Sequence, residues 1–69
     1  MDDHVFKLTE IVGTSHESID DAIKTALARS EKSLRNVRWF EVMGTRGLVE
    51  PDGKLQFQVT LKVGFTLEG

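Results

Sequence analysis

The sequence predicts an α+β domain: a three-stranded antiparallel sheet packed on one helix, in the order β-α-β-β. Three patterns predict it. From Leu55 to Leu67 every odd position is apolar and every even position is polar or glycine, the period of a strand with one buried face. Ile19, Ala22, Ile23, Ala26, Leu27 and Leu34 recur at spacings of three, four and their sums, one stripe of a 3.6-residue helix. Glu50-Pro51-Asp52-Gly53 is a reverse turn between two strand-like runs, which makes them an antiparallel hairpin.

The first strand is expected over 5–12. Phe6, Leu8 and Val12 fall on one face and Val5, Lys7, Thr9 and Ile11 on the other, with Glu10 interrupting the first set. Gly13-Thr14-Ser15 then carries turn and cap chemistry. The helix starts within 15–19, because Thr14-x-x-Glu17 fits a capping box and Ser18 with Asp21 fits equally well. Asp20 and Asp21 suit the positive end of the helix dipole, and Lys32 and Arg35 the other end. The helix is expected to run to about Leu34, and Asn36 to break it.

The second strand is expected over 37–49 and the third over 54–67. Strand three should turn Phe57, Val59, Leu61, Val63 and Phe65 to the helix, since one helix about 10 Å across covers roughly one face of such a sheet. Its other face carries Gln56, Gln58, Thr60 and Lys62. Strand two divides into Trp39, Glu41, Met43 and Thr45 against Phe40, Val42 and Gly44. The second set matches a core better. Trp39 therefore goes to the outer face, beside Gln58. A tryptophan on an otherwise polar sheet face calls for a protein or ligand surface to lie against.

With 69 residues the chain, 1–69, is one domain. A chain this short buries only about 60% of its unfolded surface. Small scaffolds make up that deficit with disulfides, metals or oligomerisation. The sequence has no cysteine and only two histidines, His4 and His16, so oligomerisation is the expected route. A net charge of −2 supplies no basic footprint and disfavours nucleic acid. No apolar run approaches the roughly 20 residues of a membrane span. Met1-Asp2-Asp3-His4 lacks a signal-peptide pattern, which makes a cytoplasmic location the expectation.

The chain resembles the dodecin family of small flavin-binding proteins over nearly its whole length. The resemblance rests on Glu10-Ile11-Val12-Gly13-Thr14-Ser15, on Ala22-Ile23 with Ala26-Leu27-Ala28-Arg29, and on Leu34-Arg35-x-x-Arg38-Trp39-Phe40-Glu41-Val42. Thr45-Arg46-Gly47 and the run from Phe57 to Phe65 complete it. The ordered set is specific although each piece alone is weak. It implies a β-α-β-β protomer and twelve protomers closed into a hollow homododecamer. It also implies flavins stacked in pairs at two-fold interfaces between tryptophans of two subunits.

Trp39 matches the stacking tryptophan, and Gln58 the glutamine that bonds the edge of the isoalloxazine. Arg46 resembles an arginine near the ligand and the phosphate of flavin mononucleotide (FMN). Gly44, Thr45 and Arg46 lie where members differ in ligand preference. The implied role is storage of FMN or riboflavin and quenching of its photoreactivity, without catalysis. Some bacterial members are associated with coenzyme A through a basic residue near the C-terminus; Thr66 stands in that region here, a departure that weighs against it.

Outside these positions the residues have plainer readings. Glu41 is an interface or shell-lining carboxylate, Asp52 belongs to its turn, and Asp20-Asp21 complements the helix dipole. His4 and His16 are expected to be exposed. No nucleophile–base constellation and no metal-ligand spacing is visible. Two other functions stay open: a small flavin-dependent redox enzyme, and a structural assembly module with no ligand.

Overall fold

Residues 5–67 are described by the structure, a computed structural model. Four elements succeed one another: β1 (Phe6–Ser15), α1 (Ile19–Ser30), β2 (Val37–Val49) and β3 (Leu55–Thr66). The strands form one antiparallel sheet in the order β1-β3-β2, so the regularly alternating strand is the central one. Val59, Leu61 and Val63 on its odd face are completely buried. They meet Ala22 and Ala26 of α1, with Ile11, Ile23, Leu27, Leu34 and Val37 packed around them.

β1 runs three residues beyond the expected Val12. Gly13, Thr14 and Ser15 pair with Val59, Gln58 and Phe57 instead of turning. At Gly13 the helix packs directly on the backbone of the sheet. A Cβ there would overlap the Ala22 carbonyl oxygen and lie 2.8 Å from the Ala26 Cβ. The turn chemistry is displaced onto Ser15, whose Oγ accepts from the Glu17 amide at 2.9 Å and donates to Asp21 Oδ2 at 2.7 Å. Ser18 is the helix N-cap, its Oγ accepting from the Asp21 amide at 2.9 Å, while Thr14 stays in the sheet.

The helix ends at Ser30, short of Leu34. The buried Ser30 hydroxyl donates to the Leu27 carbonyl at 2.9 Å, a local bond of the kind that competes with helix continuation. Leu34 still reaches the core from the turn beyond the helix. Asn36 adopts a left-handed backbone (φ 62°), which asparagine tolerates, and redirects the chain into β2 rather than ending the helix. At the other end of β2 the expected turn forms. Gly53 has φ 87° and donates to the Glu50 carbonyl at 2.8 Å, and Lys54 donates to Asp52 Oδ1 at 3.0 Å. His16, exposed as expected, hydrogen-bonds Glu50 at 3.1 Å and ties the β1–α1 loop to this turn. His4 lies outside the described residues.

The single helix does not cover the whole sheet. It lies over β1 and β3 and scarcely reaches β2. A helix about 10 Å wide spans only about two strand spacings of ~4.8 Å. The 12-residue helix is about 18 Å long by its rise per residue, against about 44 Å for the 13-residue β2. The protomer is accordingly drawn out to 55 × 21 × 14 Å. On the helix side of β2, Phe40, Val42 and Val49 remain 44%, 45% and 77% exposed.

Candidate functional site

The face of the sheet turned away from the helix carries every candidate residue except one, and two slips in strand register decide which. β2 pairs with β3 through Val37↔Phe65 and then Trp39↔Gly64, so Arg38 is an extra residue. Pairing slips again between Val42↔Leu61 and Gly44↔Thr60, which makes Met43 extra. Each added residue shifts the alternation by one and re-aims the side chains after it. Residues paired directly across strands share a face. Trp39, Glu41, Gly44, Arg46 and Leu48 therefore lie with Gly64, Lys62, Thr60, Gln58 and Gln56 on the outer face.

Uninterrupted alternation places Met43 and Thr45 with Trp39, and Gly44 on the helix side. The slip at Met43 overturns this from Gly44 onward. Thr45 pairs with the buried Val59 and belongs to the helix-side face, whereas Gly44 and Arg46 join Trp39. A further correction concerns distance. Trp39 is on the same face as Gln58 but not beside it. Trp39 stands across from Gly64 and Gln58 across from Arg46. The intervening strand, from position 64 to position 58, spans about 20 Å at roughly 3.4 Å per residue.

At the Trp39 end, the indole lies over Gly64. A Cβ on Gly64 would fall inside van der Waals contact of Cε2, Cζ2 and Nε1 together, which puts a ring face, not a ring edge, on the backbone. The Phe6 ring meets Trp39 edge-on, with centroids 6.2 Å apart and planes at 65°. Leu8 completes the row by pairing with Gly64 from β1. Trp39 nonetheless remains 38% exposed. One face of the indole is seated on the backbone, and more than a third of the residue stays open to solvent.

At the opposite end, Gln58 has Arg46 on one flank and Thr14 on the other. Its Nε2 donates to Gln56 Oε1 at 3.1 Å, which orients the amide and leaves its own oxygen as an acceptor. Gly44 faces open space: a Cβ there would touch nothing within 4 Å. Between the two ends Lys62 pairs with Glu10 and Glu41, an alternation of charge across the three strands.

Sequence reasoning missed Gly64 and Phe6 as neighbours of the indole. Gly64 could have been flagged as a small residue interrupting an otherwise polar even series. Phe6 carried no such signal, because its face depends on the register of β1. The described residues enclose no cavity within one protomer. Among them no three histidine, aspartate or glutamate side chains converge as they would on a metal ion. Among them, too, no helix is long and apolar enough to cross a membrane.

A family model described as Dodecin matches residues 5–68. A Thermus thermophilus protein named Dodecin is 50% identical over 64 residues, covering 93% of this chain and 93% of its own. The solved structure of dodecin from Streptomyces davaonensis is similar with a TM-score of 0.92 at 41% identity, covering 99% of this chain and 100% of that one. A Mycobacterium tuberculosis protein named calcium dodecin is 30% identical over 63 residues, covering 91% of this chain and 89% of its own. Its crystal structure, described as having a novel calcium-binding site, gives a TM-score of 0.84 over 93% of this chain and 91% of that one.

Proposed function

The chain belongs to the dodecin family of small, non-catalytic ligand-binding proteins, and on that premise we propose that it stores flavins, FMN or riboflavin, as stacked pairs between the Trp39 rings of symmetry-related subunits. The observation that carries the reading is the half-open indole. Trp39 is backed by Gly64 on one face and is still 38% exposed. A flat aromatic ring is the natural occupant of that open face. Stacking of this kind is worth about 1–3 kcal/mol per ring with nucleobases as partners.

The distance between Trp39 and Gln58 supports the same reading. At about 20 Å along one protomer the two cannot hold one ring together. They can do so when different subunits contribute them, as at a two-fold axis. Gln58 then offers its amide to the alternating carbonyl and N–H groups of the pyrimidine edge. Arg46, directly across from Gln58, suits the phosphate of FMN. Gly44 leaves open space on the same face. Thr45, on the helix side, joins the site only through its backbone or from a neighbouring subunit. The bound flavin supplies the chromophore, and an indole stacked on it offers a route for rapid quenching of its excited state.

The bare apolar side of β2 supports self-assembly. Phe40, Val42 and Val49 are only partly covered by the described residues, and copies of the same chain can supply the rest in a homododecamer, with 1–69 acting as one domain. We place the shell in the cytoplasm, in keeping with the absence of cysteine. Coenzyme A is left out of the proposal: Thr66 puts a hydroxyl rather than a cation near the end of β3.

The test is to denature the purified protein and identify the released chromophore by mass, alongside titration of free riboflavin and FMN into the ligand-free protein. Quenching of flavin fluorescence to a fixed stoichiometry is the expected result. A colourless preparation that leaves flavin emission unchanged means an assembly module instead. Steady consumption of an added nicotinamide reductant means a flavin-dependent enzyme.

A further inference from the structure

We propose that Gly64 is a positioning residue for Trp39, and that its missing side chain sets the height of the indole above the sheet and so the width of the space in which ligand rings stack. The proposal rests on the flavin reading of that site. Glycine is not needed at this position for its backbone: among the described residues, Gly53 is the glycine with positive φ, and Gly64 pairs regularly with Leu8 and Trp39 on either side. What position 64 lacks is room. Any Cβ would press into the face of the indole at Cε2, Cζ2 and Nε1.

One further contact and the strand register hold the ring in place. Phe6 meets it edge-on at 6.2 Å, and the register slip at Arg38 delivers Trp39 to the outer face directly across from Gly64. The indole is thus placed by backbone below, an aromatic edge beside and a register shift behind. A methyl at position 64 lifts or tilts it. In a symmetric clamp the displacement occurs on both walls, so the gap narrows twice. Flat stacking tolerates such narrowing poorly, because rings pack at van der Waals contact and cannot be compressed.

The experiment compares Gly64→Ala with Gly47→Ala, a helix-side glycine with nothing within 4 Å of its would-be Cβ. The chain has one tryptophan and no tyrosine, so near-ultraviolet circular dichroism and emission of the ligand-free protein report chiefly on Trp39. The expected result is an altered Trp39 spectrum in Gly64→Ala but not in Gly47→Ala. With it should come about a tenfold or larger loss of riboflavin affinity, the scale of one disturbed stacking contact, or a fall in flavins bound per subunit.

An unchanged spectrum with unchanged binding overturns the proposal. If the unaltered protein binds no flavin, the flavin reading fails, while the ligand-free spectra still decide whether Gly64 positions the ring. If Gly64→Ala does not fold, Trp39→Phe is added to it. Recovery of a folded assembly with the smaller ring supports the contact, and continued failure shows that position 64 serves the backbone alone.

Discussion

Trp39 and Gln58 share one face of the sheet but stand at opposite ends of it, Trp39 across from Gly64 and Gln58 across from Arg46. A binding site that uses both is divided between subunits. Residues that look adjacent by alternation are separated by about 20 Å of strand.

Replacing Trp39 by alanine should weaken flavin binding by at least the ~1–3 kcal/mol of a stacked ring, about tenfold to a hundredfold. The protomer fold should survive, since the pairing across Gly64 is made by backbone, and with it the assembly that the sheets are proposed to carry. Gln58→Ala should cost no more than that, about 1–3 kcal/mol from ring-edge groups left unpaired. Fluorescence titration and sizing of each variant check both. A Trp39→Ala protein that runs as a monomer would reassign the residue to assembly.

The divided site makes a second prediction. Subunits carrying Trp39→Ala and subunits carrying Gln58→Ala, unfolded together and reassembled, should recover part of the binding that neither retains alone. Each mixed interface then contains one tryptophan and one glutamine from different chains. Absence of any recovery in a correctly sized mixed assembly would mean that both residues act from the same chain.

Arg46→Ala should separate two ligands. FMN, with its phosphate, should lose about 1.5–3 kcal/mol, the scale of a hydrogen bond to a charged group, while riboflavin should be little affected. Raised salt should shrink the difference in the unaltered protein. Equal losses for the two ligands would place Arg46 against the ring or in an interface rather than at the phosphate.

At the start of the helix, Ser18→Ala should lower stability by about 1 kcal/mol, because its hydroxyl accepts from the Asp21 amide. Thr14→Ala should have a smaller effect, its backbone being held by pairing with Gln58. Denaturant midpoints at one fixed protein concentration make the comparison, since assembly couples to folding. The reverse order would restore Thr14 as the cap.

The faces of β3 were legible in the sequence because side chains in a strand alternate with period two and nothing interrupts that run. Val59, Leu61 and Val63 are buried where alternation puts them. The turn at 50–53 was legible for a similarly local reason, since Asp52-Gly53 provides the hydrogen bond and the positive φ that the turn requires. The helix stripe was legible, but its end was not. Leu34 belongs to the core without belonging to the helix, and hydrophobic spacing cannot tell those apart.

Alternation alone puts Trp39 on the outer face, where the structure also has it. The neighbours of Trp39 were beyond such reasoning. The extra residue at Met43 leaves no mark on composition or periodicity, yet it decides that Arg46 shares the face of Trp39 and Thr45 does not. Strand order was equally hidden, because β1 could lie on either side of the hairpin until α1 packs its alanines against Gly13.

The sequence by itself determined the order and type of the elements and the core face of the central strand, because each of these depends on spacing within a short stretch. The tertiary structure decided the register that separates Trp39 from Gln58 and the bare backbone at Gly64 that seats the indole. Both depend on which strands meet and at what offset. That offset is set by the packing of the whole sheet, which no local stretch encodes.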